Sequence, residues 1–128
     1  MTAIQTLSAP LGRLLLSLIF VVSGVGKIGA YAGTQAYMDS MGVPGMLLPL
    51  VIALELLGGL AIILGWQTRL VAFLLAGFCI VSAVLFHGNV SDPSEQIQFL
   101  KNLGLAGGFL LIVAHGAGAW SLDNRRGA

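Results

Sequence analysis

MLLPLVIALELLGGLAIILGW, residues 46–66, is a 21-residue run of apolar and small side chains interrupted by one charge, Glu55. A bilayer's hydrocarbon core is about 30 Å thick, and a helix rising ~1.5 Å per residue needs about 20 such residues to cross it. The stretch therefore reads as a membrane span. Glu55 is its anomaly. A charge at the centre of a span costs ~2.5–3.5 kcal/mol on insertion scales for Asp, Lys and Arg, so an acid there faces a bundle interior, pairs with a cation or carries a proton. What Glu55 meets is the functional question.

Composition extends the same reading to the whole chain. Of 128 residues, 57% are hydrophobic and 9% charged, against about 25% charged in soluble domains. At 13.3 kDa and a mean hydropathy of +0.96 it is one membrane domain. The net charge of +1 supplies no basic field, which argues against a nucleic-acid partner. A lone cysteine, Cys79, excludes an internal disulfide, a CxxC redox pair and a multi-cysteine metal site, and no metal is expected. Cys79 itself reads as a small buried apolar residue.

Outward from residues 46–66, three further spans follow. Leu11 to Ile28 is bracketed by Arg13 and Lys27, after a short mixed leader. Ala30-Tyr31-Ala32 mimics a cleavage site, but the leader before Arg13 lacks a basic side chain, so a retained helix is preferred over a signal peptide. Gly29 to Gly45 reads as a loop in which residues 34–41 form at most a short interfacial helix, with Tyr37, Met38 and Met41 at headgroup level. Leu70 to Phe86 is the third span, and residues 99–120 the fourth. The expected helices are 11–29, 46–66, 69–87 and 99–120, with Trp66 and Trp120 as an aromatic belt and Asp123 to Arg126 as a soluble tail. This is an all-α, antiparallel four-helix membrane bundle. The side holding both termini carries Arg13, Arg69, Arg125 and Arg126, whereas the other carries Lys27 and Lys101, so the termini are expected in the cytoplasm of a bacterial inner membrane.

Depth and rotation place the polar residues together. Lys27 lies 14 residues beyond Arg13, about 21 Å, and His87 lies 18 beyond Arg69, about 27 Å. Lys101 and Asn102 open the fourth span on that same outer side, with Glu55 roughly 13 Å below Met46. Spacings of three and four residues put Arg13, Ser17, Phe20, Gly24 and Lys27 on one face, and Ile52, Glu55, Gly59, Ile62 and Trp66 on another. By the same rule Arg69, Phe73, Ala76, Ile80, Ala83 and His87 share a face of the third span, and Lys101, Leu105, Gly108, Ile112 and His115 one of the fourth. The functional candidates are thus Glu55, Lys27, His87, Lys101 and Asn102. Arg13 and Arg69 read as topology markers reaching headgroups, His115 as interfacial, and Gly59, Gly104 and Gly108 as places where helices close up.

Gly12-Arg13, Ser23-Gly24-x-x-Lys27, Gly42-Val43-Pro44, Glu55-x-x-Gly58-Gly59, Gly65-x-x-Thr68-Arg69-x-x-Ala72 and Lys101-Asn102 occur in this order. Over residues 11–120 the chain resembles the DoxX family of small bacterial membrane proteins. The resemblance implies a four-helix inner-membrane fold. For some members it implies a link to thiosulfate:quinone oxidoreduction or to membrane-associated oxidoreductase complexes. The sequence lacks a haem-type histidine pair and any flavin or nucleotide motif, so electron traffic would need a diffusible quinone or a partner's cofactor. The leading expectation is a redox-associated subunit with an outer-leaflet polar pocket for a quinone or similar small apolar ligand, with membrane lipids and soluble oxidoreductases as partners. A non-catalytic scaffold using the 29–45 loop and the tail, and a proton-coupled small-molecule exporter, stand as alternatives, and a homo-oligomer is compatible with the glycine-rich spans. Any catalysis would be that of a quinone-linked oxidoreductase subunit.

Overall fold

The computed structural model describes residues 2–125; Arg126 of the expected tail lies outside them. Six helices follow in order: α1 (Ala3–Gly29), α2 (Tyr31–Ser40), α3 (Leu48–Leu64, preceded by a 3-10 turn at Gly45–Leu47), α4 (Thr68–Phe86), α5 (Pro93–His115) and the single turn α6 (Leu122–Arg125). Among the described residues, four segments are long and apolar enough to cross a membrane: Ala3–Gly29, Gly45–Leu64, Thr68–Phe86 and Pro93–His115. The all-α four-span architecture is the expected one, and among the described residues there is no strand.

The helix boundaries differ from the sequence reading for local reasons. Residues 3–10 are helix, not leader. Gln5 N–H donates to Thr2 Oγ1 (3.2 Å) and Thr2 N–H to Gln5 Oε1 (3.0 Å), a reciprocal cap that starts α1 a full eight residues early. The 29–45 segment is mostly helix α2. It ends where Gly42 takes φ +80° and Val43 N–H turns back onto Met38 O. The fourth span stops at His115 instead of reaching Trp120, because Gly116 and Gly118 adopt φ +79° and +92° and fold the chain back.

That return builds a joint at the end of the bundle holding both termini. Asp123 is not in a free tail: its carboxylate accepts from Gln67 N–H (2.8 Å), Thr68 N–H (2.9 Å) and Thr68 Oγ1–H (2.5 Å), capping α4 from 55 residues away. Arg13 does not reach headgroups either. It is 3% exposed and donates to Ile62 O and Ile63 O (3.0 Å each) and to Trp120 O. Its charge thus sits on the carbonyl end of α3, where the helix dipole favours a cation. Gly65 closes α3 with φ +74°, and a methyl there would overlap Ser121 Cβ and stand 2.6 Å from Arg13 Nη1.

In the core, Phe20 meets Phe109 edge-on at 5.5 Å and Phe78 at 6.4 Å, surrounded by Ile62, Ala72, Leu75, Ala76, Cys79 and Ala106. The inward face of α1 is Arg13, Ser17, Phe20 and Gly24, as the spacing implies. On α4 and α5 the faces are turned by about one residue, or ~100°. Phe73 and Ile80 are 60% and 42% exposed, while Thr68, Ala72, Leu75, Ala76, Cys79 and Ala83 face inward. On α5, Ala106 and Phe109 are buried and Lys101 and His115 are exposed. Lipid solvates a large apolar side chain as well as a protein interior does, so large residues go outward and small ones admit the neighbouring helix. Gly59 and Gly108 are such contact points: an added Cβ would lie 2.9 Å from Val21 Cγ2 and 3.2 Å from Leu16 Cδ1 respectively. Gly104 has no atom within 4 Å of that position, and Arg69 is exposed, its guanidinium beside Gly116.

Gly65→Ala is therefore expected to destabilise the detergent-solubilised protein by about 2 kcal/mol or more, through left-handed strain plus overlap, whereas Gly104→Ala should lie within about 0.5 kcal/mol of wild type. Thermal unfolding of the two variants side by side checks this. At the start of α5, Ser94 donates its hydroxyl (2.9 Å) and its N–H (3.0 Å) to Asp92 Oδ1, and these bonds hold the Asp92 carboxyl below its ordinary value. With the folded value depressed, this cap contributes fully above the unfolded value of about 3.9 and is lost as pH falls through the lowered one. The protection of the Ser94 amide, its exchange rate relative to the unfolded chain at the same pH, should hold at about pH 5 and fall only as the Asp92 carboxyl is protonated below its ordinary value.

Candidate functional site

At the opposite end of the bundle, α1 and α3 approach closely because both carry glycine where they touch. A Cβ at Gly24 would stand 2.7 Å from Leu56 Cγ and 3.5 Å from Glu55 Cβ, so only the bare backbone lets Glu55 come alongside the last turn of α1. Lys27, one turn further, places Nζ 2.9 Å from Glu55 Oε1 and donates to Ser23 Oγ at 2.5 Å. The spacing Ser23-Gly24-x-x-Lys27 thereby acquires a reason: contact, partner and cation lie on successive turns of one face. The pair is asymmetric in burial, with side-chain exposure of 27% for Lys27 and 4% for Glu55. Beyond this ion pair, Oε1 accepts no hydrogen bond from the described residues.

The pair opens onto a cavity of about 240 Å³. Its apolar wall includes Phe20, Phe78 and Phe86, and its polar wall Ser82, His87 and Asn102. Cys79 of α4 is 2% exposed and lines the same space. Helix α2 roofs it: Met38 is buried, and Tyr37 stacks on Phe86 with ring centroids 5.5 Å apart and planes 22° from parallel. Asp39 Oδ1 accepts from Gly45 N–H (2.8 Å) and Gln35 Nε2 donates to Gly45 O (3.2 Å), which ties α2 to the entry of α3. His87 at the end of α4 bonds through Nδ1 to Glu95 Oε2 at 2.9 Å.

Of the five candidates, Lys27, Glu55, His87 and Asn102 surround this cavity, while Lys101 is exposed and outside it. Turning α5 by one residue exchanges the two neighbours, so Asn102 is the helix's polar contribution to the cavity, beside the apolar Leu105. Glu95 and Ser82 were not anticipated. Glu95 stands in a polar loop-and-cap segment with nothing to mark it, and Ser82 becomes visible only once α4 is turned so that Cys79 and Ala83 face inward. Tyr37 and Met38, expected at headgroup level, line the cavity, whereas Met41 is exposed.

The DoxX family model matches residues 9–88. The chain is 47% identical over 123 residues to the Escherichia coli K12 "Inner membrane protein YqjF", covering 96% of this chain and 95% of that one. It is 37% identical over 123 residues to the E. coli K12 "Inner membrane protein YphA", covering 90% and 87%. A Bacillus subtilis 168 protein named "Putative oxidoreductase CatD" is 34% identical over 64 residues, about half of each chain. No solved structure matches. With four membrane-crossing helices and full-length likeness to inner-membrane proteins, the chain belongs to the DoxX family and is a multi-pass protein of the bacterial inner membrane.

Proposed function

We propose that this protein is a redox-associated membrane subunit that seats the ring of a quinone, or of a similar small apolar ligand bearing ring oxygens, in the cavity beneath α2. The observation that carries the reading is a charged pair, Lys27 and Glu55, facing an aromatic-walled space inside the bundle. An intramembrane ionisable residue is costly to keep and is by default a functional one. Size supports a ring: an engineered 150 Å³ cavity already holds benzene, and drug-sized ligands need roughly 300–1,000 Å³, so about 240 Å³ suits a headgroup with its tail left among lipids.

In this reading Lys27 donates to a ring oxygen and Glu55 balances its charge. His87, oriented by Glu95, exchanges the proton that accompanies quinone chemistry. A bound quinone would supply the two-electron redox capacity, and a soluble oxidoreductase at the membrane would be the other party to the transfer. The name of the B. subtilis relative is in keeping with such a role. The excess of Lys and Arg on the side of the termini supports a cytoplasmic location for them and a periplasmic-leaflet location for the cavity.

The test separates ligand binding from structural pairing. Purified wild type is expected to retain total quinone, oxidised plus reduced, or to take up added ubiquinone-1 or ubiquinol-1. Lys27→Met should lose that binding and about 3 kcal/mol of stability, because it strands a buried carboxylate. Lys27→Met with Glu55→Leu should regain most of the stability but none of the binding. Wild type that neither carries nor takes up either form, or a double variant that binds normally, would remove the reading. For orientation, alkaline phosphatase fused at the C-terminus should be inactive and a fluorescent protein there bright; the reverse pattern would place the cavity in the other leaflet.

A further inference from the structure

The geometry points to Glu55 and His87 as a pair of hydrogen-bond acceptors that select the reduced, hydroxyl-bearing form of the ring: the species this cavity holds is a diphenol, in preference to the corresponding quinone. This rests on the reading of the cavity as a ring site and adds which redox form it is built for.

The argument is a count of donors and acceptors. Glu55 is 3% exposed and lines the cavity, and no described residue gives its Oε1 an aligned hydrogen bond. An ionised carboxylate accepts only, with about four lone-pair directions between its two oxygens, so what it lacks is donors. Lys27 meets one oxygen at 2.9 Å and also donates to Ser23, while no described residue donates a hydrogen bond to the other Glu55 oxygen. His87 adds a second acceptor by a separate route. Its Nδ1 lies 2.9 Å from Glu95 Oε2, and a carboxylate has no proton to give, so Nδ1 carries the hydrogen. In the neutral imidazole that leaves Nε2, the remaining polar atom of a ring lining the cavity, as a lone-pair acceptor.

The two redox forms of a quinone differ in this respect. Quinone oxygens only accept, whereas phenolic hydroxyls both donate and accept. A donor such as the Lys27 ammonium therefore serves either form and does not discriminate. Two acceptors serve only the form with O–H groups, and against quinone carbonyls they set lone pair against lone pair in a site where unpaired polar groups are costly. Discrimination of this kind is strong because it arises from a buried group left without a partner in the wrong complex.

The experiment compares ubiquinol-1 with ubiquinone-1 on the full-length protein in nanodiscs, the reduced series kept anaerobic. Ubiquinol-1 is expected to bind at least tenfold more tightly. In Glu55→Gln, whose amide offers a donor where the carboxylate had only acceptors, that preference should fall at least fivefold, chiefly by weaker binding of the reduced form. If Glu55→Gln does not fold, wild type alone decides: tenfold preference for the reduced form raises the midpoint potential of the bound couple by about 30 mV over the free couple. Equal or tighter binding of ubiquinone-1, an unshifted or lowered potential, or a Glu55→Gln variant that weakens both forms alike would overturn the inference and leave the ring site standing. Binding of neither form would remove the ring site as well.

Discussion

A carboxylate and an ammonium held 2.9 Å apart between two membrane helices set the terms for everything around them. In a low-dielectric interior each charge alone is prohibitive, and the attraction offsets desolvation only if the partners actually touch. Contact in turn requires α1 and α3 to approach more closely than side chains normally permit. Gly24 and Gly59 meet that requirement from opposite helices, facing Leu56 and Val21 respectively. The α1–α3 pair is thus a unit defined by electrostatics and made possible by missing Cβ atoms. Helices α4 and α5 form a second unit, joined to the first through Phe20, Phe78 and Phe109, and the cavity lies where the two units meet.

How far this could be read in advance depended on whether a helix carries its own marker. On α1, Arg13, Ser17 and Lys27 are polar groups that lipid will not solvate, so their spacing declared the inward face. Glu55 did the same for α3. Helix α4 has no polar side chain between Arg69 and Ser82, and a face drawn from Arg69 to His87 takes in the large apolar Phe73 and Ile80. Such a face belongs to water-soluble proteins, where large apolar groups go inward. In a bilayer the sorting variable is size, and the row Ala72, Ala76, Cys79, Ala83 was the legible one. On α5 Lys101 misled for a related reason: a long cation near a helix end can leave the bundle for the headgroups, while the short amide of Asn102 stays with the cavity wall.

Long-range caps were beyond any local reading. Nothing near Gln67 predicts that the α4 terminus is closed by Asp123, or that the carbonyls of Ile62 and Ile63 end on Arg13. The Asp123 cap follows from Gly116 and Gly118 returning the chain across the end of the bundle, and the Arg13 bonds from the packing of α1 on α3; glycines in a glycine-rich membrane protein do not announce which of them turn. The reciprocal cap of Thr2 and Gln5 was different, since its four-residue spacing is a local signal that extends α1 through what composition alone suggested was a leader.

The two buried charges among the described residues differ in what surrounds them. Arg13 and Glu55 are each 3% exposed, so burial does not distinguish them. Partners do. Both terminal nitrogens of Arg13 are directed onto three carbonyls at a joint where even a methyl at Gly65 has no room, and these bonds hold α1, α3 and the returning tail together. Glu55 has one counter-ion, no aligned donor among the described residues, and a cavity in front of it. Neither group is fully satisfied, since Arg13 Nε also lacks a partner among the described residues, but the Arg13 joint has no room for anything further, whereas Glu55 fronts a cavity. The difference between them is one of room: Arg13 is enclosed by backbone carbonyls of its own chain, whereas Glu55 shares its surroundings with aromatic walls and a histidine.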